Sequence, residues 1–113
     1  MLVYSQHEVR PRSTQEAVDV LRHCLEEGEI IPGSHFRAEL AKENVTFEDA
    51  WSVLRKGRIY DPAETDIKTG ELKFRIEGQG PGGKWLVIIF CFKKIDRVFL
   101  ITIFSSQWRG KPK

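Results

Sequence analysis

Two cations on one predicted strand have the spacing of an anion-binding site. Lys73 and Arg75 are two residues apart in an alternating segment, so their side chains share a face at a separation of about 6.6 Å. Two cations at this distance can bind one phosphate group, to which arginine offers two parallel N–H donors. The same alternation is also typical of the solvated outer face of an antiparallel strand. The pattern therefore predicts either an anion site or an ordinary exposed face.

A histidine at a predicted helix start is the second candidate. His35 directly follows Ser34, a predicted N-cap. The positive end of a helix dipole disfavours imidazolium, so the ring stays neutral and can accept a proton near neutral pH. Glu39, one turn further on, favours the charged form and opposes this effect. The alternative is an exposed first-turn histidine without a role, and position alone favours that interpretation.

A hydroxyl and a basic tail complete the candidates. Thr102 interrupts the otherwise apolar run Val98–Phe104, and Ser105 follows soon after it. If the last strand lies near the strand of the two cations, Thr102 joins a polar cluster there; otherwise it is a β-branched strand residue satisfied locally. Trp108 and Arg109 place an aromatic ring beside a cation, as in contacts with single-stranded nucleic acid. A frayed tail is the alternative interpretation.

Helical periodicity fills the first half of the chain and predicts three successive helices. Each is bounded by residues that favour helix ends, an oxygen-bearing side chain before it and glycine or asparagine after it. The predicted caps and stops are Ser13 and Gly28, Ser34 and Asn44, and Thr46 and Gly57. The segment 30–33 between the first two helices is predicted to be a connector.

The second half of the chain changes to strand patterns. The predicted strands are a short edge strand at 58–60, an alternating strand at 71–77, an apolar central strand at 85–92 and a last strand at 98–106. Their short connections predict an antiparallel meander. The predicted fold is α+β, with N-terminal helices packed on one face of a roughly four-stranded antiparallel sheet. Residues 1–107 are predicted to form this single domain, and residues 108–113 a basic C-terminal tail.

The charge distribution indicates where an anionic partner would bind. The net charge is +2, but residues 1–57 carry 7 Lys and Arg against 10 Asp and Glu, a balance of −3. Residues 58–113 carry 11 against 6, a balance of +5. The surplus positive charge therefore falls on the predicted strands, which favours a sheet that faces an anion.

Several function classes are not expected from this sequence. The longest apolar run, Trp85–Phe92, has eight residues, whereas a membrane-spanning helix needs about 20. The N-terminus lacks a signal-peptide pattern, so a cytoplasmic protein without membrane contacts is expected. Cys24 and Cys91 are predicted to be buried free thiols. The scattered histidines have no zinc-ligand spacing, so neither a metal nor another cofactor is predicted.

The order of these motifs resembles a known family. The resemblance rests on Ser34-His35-Phe36, on Val53-Leu54-Arg55-Lys56-Gly57-Arg58-Ile59, on Lys73-Phe74-Arg75-Ile76-Glu77-Gly78 and on Leu100-Ile101-Thr102. These segments resemble a small family of single-domain bacterial and archaeal proteins. That family is grouped with RelE/ParE-like toxins and the broader barnase/EndoU/colicin/RelE ribonuclease-type fold. The similarity covers roughly residues 30–107.

The resemblance implies an open sheet face that binds an anionic substrate, metal-independent RNA cleavage, and often a cognate antitoxin as partner. It places the family's helix histidine on His35, its strand arginine on Arg75 and its last-strand hydroxyl on Thr102. No second histidine in the sequence is placed as an obvious partner acid.

These implications give a hypothesis for RNA cleavage by attack of a 2′-hydroxyl on the adjacent phosphate. His35 is the predicted base or acid, Arg75 the phosphate clamp, and Thr102 the group that positions the phosphate. Lys73 supplies a second positive charge or a weak acid, and substrate contacts are also predicted for Ser105 and Arg109. The alternative is a non-catalytic RelE-like interaction module whose basic sheet face binds an acidic protein partner or nucleic acid.

Overall fold

Three helices form where the sequence supplies caps. In the computed structural model, which describes residues 11–94 and 96–107, they are α1 (Thr14–Glu27), α2 (Ser34–Glu43) and α3 (Phe47–Lys56). A reciprocal capping box begins α3. Thr46 Oγ1 accepts a hydrogen bond from Asp49 N at 3.1 Å, and Asp49 Oδ2 accepts one from Thr46 N at 2.8 Å. These bonds satisfy N–H groups that the first helical turn leaves without partners.

The start of α2 differs from the sequence prediction. Ser34 is its first helical residue rather than its N-cap, and Gly33 takes the cap position without a side-chain hydrogen bond. Gly33 N donates to Leu100 O at 3.0 Å, and a Cβ at this position would lie 2.6 Å from Phe99 Cζ. The close approach to the last strand therefore fixes where the helix begins. At its other end Asn44 has the predicted left-handed conformation, with φ 58°.

The sheet has five strands: β1 (Glu29–Pro32), β2 (Glu64–Thr65), β3 (Leu72–Gln79), β4 (Trp85–Lys94) and β5 (Arg97–Ser106). Their order is β1-β5-β4-β3-β2. β1 runs parallel to β5, and the other neighbouring pairs are antiparallel. The α+β fold with helices on one face is confirmed. The sheet is mixed and has one strand more than expected.

The extra strands explain where the prediction was incomplete. The predicted connector at 30–33 lies largely within β1, which pairs with β5 from Glu29 opposite Arg97 to Pro32 opposite Leu100. Four residues give too short a pattern to identify a parallel strand whose partner is distant in sequence. The predicted edge strand at 58–60 is reduced to a single bridge between Arg58 and Glu77. The short edge strand β2 forms instead, in a segment where no strand is predicted.

The hydrophobic core lies between the helices and one face of the sheet. Its fully buried members from both layers include Leu21, Phe36, Leu54, Ile76, Leu86, Ile88, Phe90, Leu100 and Ile103. Because strand side chains alternate between faces, the residues between these core positions lie on the opposite side. We call that side, which carries Arg75, Glu77, Ile89, Thr102 and Phe104, the open face, because none of the described helices packs on it. Some of its side chains, such as those of Glu77 and Val87, are nevertheless buried.

Within the described ranges, none of the helices combines the length and the apolar character that crossing a bilayer requires. The predicted basic tail at 108–113, with Arg109, lies outside the described residues.

Candidate functional site

Two of the predicted site residues lie in one row across the open face. Arg75 on β3 is the register partner of Ile89 on β4, and Ile89 is the register partner of Thr102 on β5. Strands are spaced about 4.8 Å apart, so the backbones of Arg75 and Thr102 are separated by about 10 Å. Side chains from both can reach a group bound above Ile89. We call Arg75, Ile89 and Thr102 the central row.

Arg75 is held from two sides. Its Nε donates to Glu77 Oε2 at 2.9 Å, and its Cζ lies 5.6 Å from the centroid of the Phe104 ring. The Arg75 side chain is 35% exposed. Among the described contacts, its terminal nitrogens make no further hydrogen bond. A guanidinium that is oriented in advance and keeps N–H donors for a ligand suits bidentate binding of a phosphate.

A buried carboxylate orients Arg75. Glu77 is 1% exposed, and its Oε1 accepts a hydrogen bond from Trp85 Nε1 at 3.0 Å. Burial of a carboxylate is unfavourable unless charged or polar partners compensate for the lost water, and Arg75 and Trp85 supply this compensation. Alternation places Glu77 on the same strand face as Lys73 and Arg75, and it favours a solvated face as one of two interpretations. The missed signal is the β3–β4 register, in which Gln79 faces Trp85 and thereby brings the indole beside Glu77.

Lys73 lies on the same strand face but binds a carboxylate of its own chain. Its Nζ lies 2.9 Å from Asp66 Oδ2. This hydrogen bond raises the pKa of Lys73. Lys73, together with the backbone N–H groups of Thr69 and Lys68, also lowers the pKa of Asp66 to about 2. Lys73 therefore holds the loop before β3. It could contact a substrate phosphate only if its ion pair with Asp66 were broken.

Other cations of the sheet are paired in the same way. Lys93 forms an ion pair with Glu71, and Arg97 Nε lies 3.0 Å from Glu29 Oε1. Surplus charge counted along the chain is thus partly neutralised by local pairs within the fold. Arg75 is also paired, with Glu77, but its terminal nitrogens remain available to an anion.

His35 lies in the exposed first turn of α2, a helix that packs on the other face of the sheet through Phe36. In the part of the chain that the structure describes, His35 has no hydrogen bond or ion pair, and it does not contact Arg75 or Thr102. The bond from Gly33 to Leu100 brings the start of α2 to β5. His35 nevertheless belongs to the helix layer, and it is not part of the central row.

Ser105, another predicted substrate contact, does not lie in the central row. Ser105 is the register partner of Leu86, whose side chain belongs to the core beneath the helices. Ser105 therefore lies on the helix side of β5, away from Arg75.

A groove at the β3 edge was missed by sequence reasoning. It has a volume of about 420 Å³, and its lining includes Lys56, Arg58, Tyr60, Glu77 and Trp85. We call it the edge groove. Glu77 and Trp85 connect it to the Arg75 contact. The detectable signal was the basic run around Gly57, where the end of α3 meets the Arg58 bridge to β3.

Residues that could bind a metal are not clustered in the described part of the chain. Across residues 11–94 and 96–107, no three His, Cys, Asp or Glu side chains form a group that could hold a metal ion. Cys24 and Cys91 are buried free thiols, as predicted. Burial raises the pKa of Cys24 to about 11 and also raises that of Cys91.

No protein-family model matches the chain, and no curated protein matches it. Its fold is similar to that of a solved ribonuclease toxin. That protein is BrnT from Brucella abortus, which is 14% identical with a TM-score of 0.50, and the match covers 72% of this chain and 99% of BrnT. At this identity the similarity establishes the fold, which is of the kind found in a toxin.

Proposed function

We propose that this protein is a toxin-type endoribonuclease, related to the RelE/ParE-like group, that cleaves RNA in the cytoplasm without a metal ion. The observation that carries the proposal is Arg75, which a buried carboxylate orients on the open face. The similarity of fold to the ribonuclease toxin BrnT supports the same class of activity.

In the proposed reaction the scissile phosphate lies above Ile89, between Arg75 and Thr102. The 2′-oxygen forms a bond to phosphorus while the bond from phosphorus to the 5′-oxygen breaks, which leaves a 2′,3′-cyclic phosphate and a 5′-hydroxyl. Arg75 binds two phosphate oxygens, and because Glu77 has already oriented it, little reorganisation is needed as negative charge develops. Thr102 donates its hydroxyl to a phosphate oxygen.

Proton transfer is assigned to His35 in this proposal. It takes the proton of the 2′-hydroxyl or supplies one to the departing 5′-oxygen, with the opposite transfer made to or from water. The assignment is supported by the family resemblance, which places a helix histidine on His35, and by the exposure of His35 at the start of α2.

The test compares two arginines of the same sheet. Arg75→Gln should reduce cleavage of a labelled RNA by about 100-fold or more, the effect of removing a donor to a developing oxyanion. Arg97→Gln removes the same charge from an exposed pair with Glu29 and should retain full activity. Equal activity of the two variants would contradict the role of Arg75. A wild-type protein that cleaves no RNA but binds an acidic protein would favour the interaction module.

A cognate antitoxin is the proposed protein partner. Expression of the wild-type chain should arrest growth, and co-expression of a small protein encoded beside it should relieve the arrest. Expression of the Arg75→Gln variant should not arrest growth. Growth arrest by Arg75→Gln at equal protein level would separate toxicity from the proposed site.

A further inference from the structure

We propose a second phosphate-binding subsite, formed by Arg22, Lys56 and Arg58, that holds the RNA backbone on one side of the cleaved bond. This inference rests on the proposed function, because it assumes that RNA occupies the Arg75 site. The subsite lies in a second groove of about 360 Å³, which shares Lys56, Gly57 and Arg58 with the edge groove.

The chemistry of the lining indicates an anionic ligand. The second groove is lined by three cations, by Thr14 and Gln15, and by Val18, Gly57 and Ile59, with no carboxylate among them. Three positive charges around one concave surface repel one another unless an anion or solvent screens them. The Thr14 hydroxyl beside them adds a neutral hydrogen-bond donor, whereas the Gln15 amide already donates to Asp19 Oδ1 at 3.0 Å. A phosphate group matches both the charge and the donors.

Two of these cations differ from four cations of the sheet. Lys73, Arg75, Lys93 and Arg97 each form an ion pair with a carboxylate. By contrast, neither Lys56 nor Arg58 has a side-chain ion pair within the described ranges. Their charge is therefore available to a ligand without the loss of an existing pair.

Arg22 supplies a second, independent observation. One of its terminal nitrogens donates to Gly57 O at 3.2 Å, which anchors the guanidinium beside the shared wall of the two grooves. Its Nε is buried and has no hydrogen-bond partner. Because Nε is out of contact with solvent, a phosphate in the second groove would bind the terminal nitrogens of this anchored guanidinium.

Continuity with the Arg75 site favours RNA over an acidic peptide. Glu77 contacts Arg75, Trp85 contacts Glu77, and both Glu77 and Trp85 line the edge groove. Arg58 lines both grooves and bridges to Glu77 through the backbone. A strand that leaves Arg75 at the β3 edge therefore meets Arg58 and Lys56 first and Arg22 next. Successive phosphates of one RNA chain fit this succession of cations.

The experiment uses substrates of two lengths. A dinucleotide carries the cleaved phosphate alone, whereas an eight-nucleotide RNA also reaches the second groove. Lys56→Gln should raise KM for the longer RNA by about 10-fold, the effect of losing one charge-assisted hydrogen bond, and should leave dinucleotide cleavage unchanged. The salt dependence of octamer binding should become shallower by about 0.7 in the slope of log K against log salt.

Two further variants make the comparison interpretable. Arg22→Gln should act like Lys56→Gln, but it also removes the bond to Gly57 O, so its thermal unfolding is measured in parallel. Lys94→Gln removes a positive charge from the end of β4 that is furthest from Trp85. It should leave the cleavage of both substrates and the salt slope unchanged.

The outcomes separate the two proposals. If the wild-type protein cleaves both substrates and Lys56→Gln weakens both equally or neither, the subsite is wrong and the proposed function stands. If the wild-type protein cleaves no RNA but binds the octamer in a Lys56-dependent manner, the proposed function fails and the subsite stands. Displacement of the octamer by a polyglutamate peptide at similar concentration would overturn the assignment to RNA in favour of an acidic protein.

Discussion

The proposed site depends on Glu77, a buried carboxylate. The hydrogen bonds from Arg75 and Trp85 compensate for its burial, and through them Glu77 positions both side chains. With a side chain 1% exposed and contacts to Arg75 and Trp85, it can orient the guanidinium without touching the substrate. Glu77 is therefore a positioning residue, and its loss should affect stability and RNA cleavage together.

Glu77→Gln should lower the free energy of unfolding by about 1–3 kcal/mol, because the charge-assisted bond from Arg75 is lost inside the protein. It should also lower kcat for RNA cleavage while KM changes less. Urea denaturation and cleavage kinetics check these two effects. The control is Glu71→Gln, whose ion pair with Lys93 is partly exposed, so its effect should stay within about 1 kcal/mol. Equal destabilisation by both substitutions would contradict the account of Glu77.

Residue types could be predicted more successfully than residue environments. The sequence placed Arg75 and Thr102 on strands, but their meeting in one row depends on the register of β3, β4 and β5, which involves partners far apart in sequence. The burial of Glu77 could not be predicted from alternation, because Trp85 covers it from the next strand. The contribution of His35 to proton transfer stays a prediction.

Helix ends carry local signals that do not depend on tertiary structure, which explains the success at α3. Thr46→Ala should lower the free energy of unfolding by about 1 kcal/mol, since Thr46 Oγ1 accepts the bond from Asp49 N. Ser34→Ala provides the matched comparison, because Ser34 makes no side-chain cap bond at α2, and its effect should be within about 0.5 kcal/mol. Chemical denaturation of the two variants measures the difference. Comparable losses would show that the capping box contributes nothing specific.

The loop before β3 is tied to the sheet by an ion pair whose pH dependence can be measured. The pKa of Asp66 is lowered from its ordinary 3.8 to about 2. The stabilisation is therefore present above pH 3.8 and is lost as the pH falls through about 2. An NMR titration of the Asp66 carboxyl should give this low midpoint, and Lys73→Met should move it upward. An unchanged midpoint in that variant would exclude Lys73 as the main cause.

The elements that the sequence did not reveal are short and depend on distant partners. β1 forms because Glu29–Pro32 pairs with the start of β5, and β2 because Glu64–Thr65 pairs with the start of β3. Neither segment is long enough to show an alternating pattern of its own. The long apolar strands β4 and β5, in contrast, were predicted from hydrophobicity alone.

For the molecule as a whole, the division of charge between the two halves was informative but too coarse. The balances of −3 and +5 indicated a basic sheet, yet four of its cations are paired with carboxylates. Lys56 and Arg58, which have no side-chain ion pair among the described residues, line the two grooves at the β3 edge, where α3 meets the sheet. Helix and strand thus contribute jointly to the surface that is proposed to bind RNA.

The central claim is that the open face cleaves RNA through a 2′-hydroxyl and without a metal ion. The most direct measurement uses a short RNA cleaved at one position, compared with the same RNA carrying a single 2′-deoxy nucleotide there, both in excess chelator. The account predicts unchanged cleavage of the all-ribose RNA, with a 2′,3′-cyclic phosphate end, and no cleavage of the substituted one. Cleavage of the 2′-deoxy substrate, or loss of all activity in chelator, would contradict it.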